Sequence, residues 1–149
     1  MRTRVRASGV VLHDGHILLH RMDDFWVLPG GGVEFEATTE GLKREFKEEL
    51  GTEITIKNWL WVAENFFEYN NQKEQSIEFY YLAELPENSP LYNQNSFEGH
   101  EGKQTLQFKW HKMDDIDHLT IMPQFLTGYL KKLKASIPKE IEHIIHKSL

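Results

Sequence analysis

Cysteine is missing altogether from the 149 residues, which excludes disulfide frameworks, cysteine-ligated zinc and thiol nucleophiles. Positive charge is in short supply: 17 Lys and Arg stand against 23 Asp and Glu, a net charge of −6 with histidine neutral. Coating nucleic acid or an anionic membrane demands a basic surface, so neither partner is expected. A small anionic substrate stays compatible, provided that a metal ion supplies positive charge. Long apolar runs are lacking too. Ala7 to Leu12 stops at His13-Asp14-Gly15, and Trp59 to Ala63 is shorter still. A secretory segment needs roughly 7–15 apolar residues and a membrane helix ~20, so the expected compartment is the cytoplasm. A chain of this length buries about 68–70% of its unfolded surface without crosslinks, and a single domain over 1–149 is expected.

Punctuation by glycine and proline divides what is there. Arg2 to Leu12 reads as a strand, His13-Asp14-Gly15 as a turn, and His16 to Arg21 as a returning strand. Phe25-Trp26-Val27-Leu28 ends at Pro29, and Gly30, Gly31 and Gly32 then read as a loop with close backbone approach. From Thr38 to Leu50 the period becomes helical, with Leu42, Phe46 and Leu50 four apart, Thr38 or Thr39 to cap and Gly51 to close. Two strands are expected over Glu53 to Tyr69 and Glu74 to Leu85, joined at Asn70-Asn71-Gln72-Lys73. Pro86 to Gln104 reads as a long polar loop, Thr105 to His111 as a strand, and Pro123 to Leu133 and Pro138 to Lys147 as helices. That order predicts an α/β fold, a partly antiparallel mixed sheet with helices on its faces.

Chemistry concentrates on the first helix. Glu45, Glu48 and Glu49 fall at i, i+3 and i+4 and so share one face, beside the apolar stripe. Like charges at those spacings each cost about 0.2–0.5 kcal/mol, and Glu48 and Glu49 also meet the negative end of the helix dipole. A divalent cation reverses both penalties. All-oxygen donors suit Mg²⁺, Mn²⁺ or Ca²⁺ rather than zinc, and a carbonyl such as that of Gly30 can approach because glycine has no side chain. The residues by themselves point to metal-assisted phosphoryl or pyrophosphate chemistry.

Taken in order, the segment is Gly30, five residues, Glu36, seven residues, Arg44-Glu45-Phe46, Lys47, Glu48-Glu49, Leu50, Gly51. This resembles the Nudix box of the Nudix hydrolase superfamily, G-x5-E-x7-R-E-U-x-E-E-x-G-U, with every fixed letter present. Three positions depart from common usage: Thr52 at the last U, Phe35 where a glycine is frequent, and Gly41 where helix formers prevail. The resemblance implies a Nudix-type α/β/α sandwich. It implies Glu48 and Glu49 as principal metal ligands, Glu45 as a further ligand or the base acting on water, and Arg44 as the residue that holds them with Glu36. It also implies a ligand or base from outside the box, for which Glu98 and Glu101 in the stretch Ser96 to Gly102 are candidates. His100 stands beside them.

Substrate phosphate is expected to meet Arg21, at the end of the second strand, and Arg4 and Arg6, which alternate with Arg2 and so share a strand face. Glu101 is a further candidate substrate contact. Aromatic walls for a nucleobase are available among Trp59, Trp61, Phe66, Phe67, Tyr69, Tyr80 and Tyr81. The position at which a proline would resemble ADP-ribose hydrolases holds Phe67, whereas Tyr69 lies near the stretch in which a tyrosine resembles dinucleoside polyphosphate hydrolases. The reading is a Mg²⁺- or Mn²⁺-dependent pyrophosphohydrolase of nucleoside-diphosphate-linked small molecules, with nucleoside triphosphates or dinucleoside polyphosphates preferred. The alternative is a non-catalytic nucleotide-binding module on the same fold. A homodimer stays open, through the hairpin aromatics or through Ile137, Ile141, Ile144 and Ile145.

Overall fold

A computed structural model describes residues 2–149, the side chain of Arg2 excepted. Its elements run β1 (Arg2–His13), β2 (His16–Met22), β3 (Phe25–Val27), β4 (Gly30–Gly32), α1 (Thr38–Leu50), β5 (Thr55–Tyr69), β6 (Gln72–Glu84), β7 (Ser96–Glu101), β8 (Gln104–Lys112), α2 (Leu126–Lys132) and β9 (Glu142–Ser148). The strands form one mixed sheet in the order β7-β8-β2-β1-β6-β5-β9, with β3 beside β2 and β4 beside β1. β1 runs parallel to β6, and β5 parallel to β9; the other pairs are antiparallel. Two hairpins turn on residues with positive φ, Asp14-Gly15 (49° and 74°) and Asn70-Asn71 (52° and 62°). Those dihedrals match the twist of the flanking strands, which is why Asn and Gly occupy such positions.

Alternation along the strands makes two cores. Ala7 and Val11 of β1 meet Leu42 and Phe46 of α1 together with Leu18, Phe97 and Phe108. Val10 looks the other way, to Leu126 and Leu130 of α2 with Trp61, Tyr80 and Ile144. Helices thus lie on both faces of the sheet, the α/β/α layering expected from the sequence. Among the described residues no helix is long and apolar enough to cross a membrane.

Four local expectations are corrected. Pro138 to Lys147 is no helix: Ile137, Ile141 and Ile145 imitate a helical stripe, but β9 lies along the edge of β5, pairing Glu142 with Trp61 through Ser148 with Phe67. The β-branched Ile144-Ile145 pair favours a pleated edge. The polar stretch 86–104 holds a 3-10 turn (Pro90–Asn93) and β7, which closes a hairpin with β8. The three glycines form β4 against β1 instead of a free loop. The position before α1 is Ala37, without a side-chain cap, and the Thr38 hydroxyl is committed to Tyr81 Oη at 2.6 Å. Gly51 does close the helix, at φ 64°.

His20 is 8% exposed, neither ring nitrogen has a partner among the described residues, and burial followed by the charge of Arg6 lowers its pKa to about 4. The unfolded chain takes up that proton near pH 6.5 and the folded chain does not. Stability is therefore full above pH 6.5 and falls as pH drops toward 4, by about 3 kcal/mol at this site. Urea midpoints at pH 7 and pH 4.5 test this: the difference shrinks in His20→Leu relative to the native chain.

Candidate functional site

Glycine brings α1 and β4 together. Gly31 faces Glu45 so closely that a Cβ there would lie 2.6 Å from the Glu45 carboxyl carbon. Gly30, at φ 150°, would place a Cβ 2.1 Å from the Ala7 carbonyl oxygen, so β4 lies this close to β1 only because residue 30 lacks a side chain. Gly41, the unusual helical glycine, would put a Cβ 3.0 Å from Glu36 Oε2. The helix thus trades propensity for room beside that carboxylate.

Arg44 ties the segment. Its Nε and Nη2 donate to Glu36 at 3.0 and 2.8 Å, Nη2 donates to the Gly32 carbonyl at 3.1 Å, and Nη1 donates to Glu45 and Glu48, each at 3.2 Å. The Glu36 fork holds the guanidinium charged, well above its ordinary range, and Arg44 in turn lowers the Glu36 pKa. Glu36 also accepts from the Glu34 amide at 3.0 Å. A lysine cannot reproduce this fork. Arg44→Lys is expected to lower turnover by about 10–100-fold, the usual cost of removing a group that orients ligands, and to cost about 1–2 kcal/mol. Paired kcat and thermal-midpoint measurements check both.

The three acids have different surroundings. Glu48 is exposed and drawn to Arg44. Glu45 is mostly covered, between Arg44 and the Gly31 backbone. Glu49 is 5% exposed, and its pKa is pushed up to about 9, first by burial, then by hydrogen-bonding contact with Glu45 and by the charges of Glu45, Glu101 and Glu48. Burying a carboxylate among carboxylates is costly unless a cation accompanies it. The donors are hard oxygens, so the pair Glu45 and Glu49 fits a divalent ion of the Mg²⁺ type. Such an ion takes one or two carboxylates and completes its shell with water and phosphate. Among the described residues no three acids or histidines are gathered into a finished cage, and Glu48 is turned to Arg44.

β7 supplies the opposite wall. A Cβ on Gly99 would lie 2.7 Å from the Glu49 carbonyl oxygen and 2.6 Å from Phe108, so this glycine lets strand and helix touch. Phe97, Gly99 and Glu101 share that face by alternation, and Glu101 acts electrostatically on Glu49. Glu98 is exposed on the other face, away from Glu49, and His100 shares its side of the strand. The sequence held the signal for this choice: treating Phe97-Glu98-Gly99 as a strand selects Glu101, while treating it as a loop leaves both open.

The basic candidates lie apart from the acids. Arg4 and Arg6 share the sheet face of Val10, opposite α1. Arg4 is within 4.0 Å of Glu74, and Arg6 pairs in register with Gly32 and Glu78. Arg21 donates to the Asp23 carbonyl at 2.8 Å and lies over the Trp26 ring, so it is turned to its own hairpin. Gly30 sits opposite Ser8, and the glycine carbonyl that receives a side-chain donor is that of Gly32.

Residues 3–133 match the family model described as NUDIX domain. A nucleoside triphosphatase NudI of Salmonella agona (strain SL483) is 38% identical over 39% of this chain and 47% of its own length. The chain spans about half the length of the curated relatives it matches. An ADP-ribose pyrophosphatase from Streptococcus suis 89-1591 superposes with a TM-score of 0.65 at 14% identity, covering 94% of this chain and 98% of that one. A NUDIX hydrolase from Nitrosomonas europaea gives 0.65 at 17% identity, covering 98% and 80%. At such identities the superpositions speak to the fold alone.

Proposed function

The chain belongs to the NUDIX domain family, and from that premise we propose that it is a metal-dependent pyrophosphohydrolase of nucleotide-type small molecules. The observation that carries the reading is Glu49: a carboxylate buried on the box helix, in contact with Glu45 and beside Glu101, is intelligible as a ligand kept for a cation. Glu45 and Glu49, with Glu48 close by on the same helix, would hold Mg²⁺ or Mn²⁺, which when bound would supply Lewis acidity and lower the pKa of a water in the site.

This chain's own residues then divide the work. Glu36 and Arg44 hold the helix and the glycine strand at fixed spacing. Glu101, whose charge acts on Glu49, would accept a proton from the attacking water as a base from outside the helix, with Glu45 the alternative. The water attacks one phosphorus of a P–O–P bridge, and the departing phosphate or nucleotide takes the bridging oxygen.

Nucleoside triphosphates come first among the substrates, because the NudI relative carries the name nucleoside triphosphatase; dinucleoside polyphosphates come second. Release of phosphate and pyrophosphate is to be measured across nucleoside triphosphates, dinucleoside polyphosphates and nucleotide sugars, with Mg²⁺ and Mn²⁺ compared. Hydrolysis of a triphosphate that stops on chelation supports the reading, and absence of turnover on all three classes with both metals refutes it.

A further inference from the structure

A carboxylate that the metal site does not use is buried on the sheet face opposite α1. Glu78 of β6 is 6% exposed, and it accepts from Tyr80 Oη at 2.5 Å and from Asn65 Nδ2 at 3.2 Å. Those two donors leave a second lone pair on each of its oxygens. Beside it, Asn65 Oδ1 and Ser76 Oγ are buried with no hydrogen-bond partner among the described residues, on side chains 6% and 2% exposed. Unfilled acceptors are costly in so dry a place, and a bound group that brings N–H donors removes that cost.

Strand register supplies the neighbours. Arg4, Arg6 and Ser8 of β1 lie beside Ser76, Glu78 and Tyr80 of β6, and Asn65 of β5 lies beside Ser76, so all of them share one face. Arg6 is half-buried next to Glu78, and its charge acts on Tyr80. Phe125, also half-buried, has its ring 6.2 Å from that of Tyr80 and 5.2 Å from that of His146, and His146 pairs in register with Asn65. Such a ring at the margin of a polar cluster is a stacking wall for a flat heterocycle.

The polar groups discriminate among bases. A guanidinium beside a carboxylate offers donors next to acceptors. Guanine presents the complement on one edge: O6 accepts, and N1–H and the N2 amino group donate. Adenine would set the N1 lone pair against the carboxylate. Uracil brings a single N–H between two carbonyls, and cytosine a single amino group.

We propose that Glu78 and Arg6 are specificity-determining residues for a guanine nucleotide, with Glu78 accepting from N1–H and N2–H and Arg6 donating to O6. Asn65 and Ser76 extend the polar floor, and Phe125 stacks on the base. The inference rests on the reading of the substrate as a nucleotide and narrows it to one base. The placement suits that substrate. Arg6 and Ser8 pair with Gly32 and Gly30, while Glu45 lies against Gly31 on the other face. Only the glycine strand therefore stands between the cluster and the acids of α1, and among the described strands β4 pairs with β1 alone. The phosphates of a nucleotide seated at Glu78 pass over that edge to the acids.

Two measurements on the whole chain test this. Calorimetry with GMP, IMP, AMP and UMP needs no turnover, and kcat/KM is compared for the four corresponding triphosphates. Guanine is expected to be preferred in both. Hypoxanthine, which lacks only the N2 amino group, is expected to fall about tenfold behind, and adenine and uracil further. Glu78→Gln and, separately, Arg6→Gln are expected to shrink the guanine-over-uracil ratio by at least about tenfold. A merely structural role would not move that ratio, and a phosphate contact by Arg6 would weaken all four nucleotides alike. Should Glu78→Gln misfold, Arg6→Gln decides alone. Preferential binding of GMP without hydrolysis of any triphosphate refutes the pyrophosphohydrolase reading and leaves this inference standing. No guanine preference in binding or turnover, or a preference that either folded variant leaves untouched, overturns it.

Discussion

Glu49→Gln is expected to reduce turnover by about 10³-fold or more while leaving the fold intact. The amide keeps the shape of the side chain and removes the negative charge that a divalent ion needs. Losing several kcal/mol of charge stabilisation at about 1.4 kcal/mol per tenfold gives that scale. Stability moves the other way. In the metal-free chain Glu49 sits 5% exposed beside Glu45, an arrangement that burial and like charge both oppose. The glutamine variant is therefore expected to melt at the same temperature as the native chain or higher. A variant that loses activity because it unfolds would melt lower, so the thermal midpoint separates the two causes. Retained turnover in a folded Glu49→Gln chain removes that residue from the chemistry.

The second large effect is structural. Gly30→Ala places a Cβ 2.1 Å from the Ala7 carbonyl oxygen and 2.8 Å from the Ser8 Cα, at a backbone φ of 150°. Both obstacles are backbone atoms of β1, which on its other side pairs Ala7 with Phe79 and Ser8 with Tyr80 of β6, so neither can swing aside. The strand must peel from β1 or carry a strained residue, at a cost of about 3 kcal/mol or more. Gly32→Ala is the control, since a Cβ there meets nothing within 4 Å, and it is expected to change stability by about 0.5 kcal/mol or less. Urea midpoints of the two variants measure the contrast. Equal midpoints would mean that β4 does not need glycine for its approach to β1.

Much of this site lies within one stretch of chain, which is why it was legible before any fold was known. Glu45, Glu48, Glu49 and Arg44 are placed by helical geometry alone, and Leu42 and Phe46 show which side of the helix is buried. What periodicity cannot supply is the other wall. Glu101 approaches Glu49 only through the β7–β8 hairpin, and the polar composition of Pro86 to Gln104 hid the strand that carries it. The role of Gly31, room for the Glu45 carboxylate, likewise depends on β4 pairing with β1 at a particular register.

The ends of the chain misled for a related reason. Ile137, Ile141 and Ile145 satisfy a helical period, but β5 offers an open parallel edge, and pairing there outweighs local spacing. Ile144 enters the core while its neighbour Ile145 faces outward, the signature of a strand. Arg4, Arg6 and Arg21 show the same limit from another side. Alternation placed Arg4 and Arg6 correctly on one face, but which face meets α1 is a property of the whole sheet.

The central claim is that Glu49 and Glu45 together hold a divalent cation at the glycine strand. Titrating Mn²⁺ into the native chain and into Glu49→Gln by calorimetry tests it most directly. The account predicts a binding site in the native chain that weakens at least about tenfold in the variant, since a charged ligand has been replaced by a neutral one. Equal affinity in the two folded proteins would contradict it.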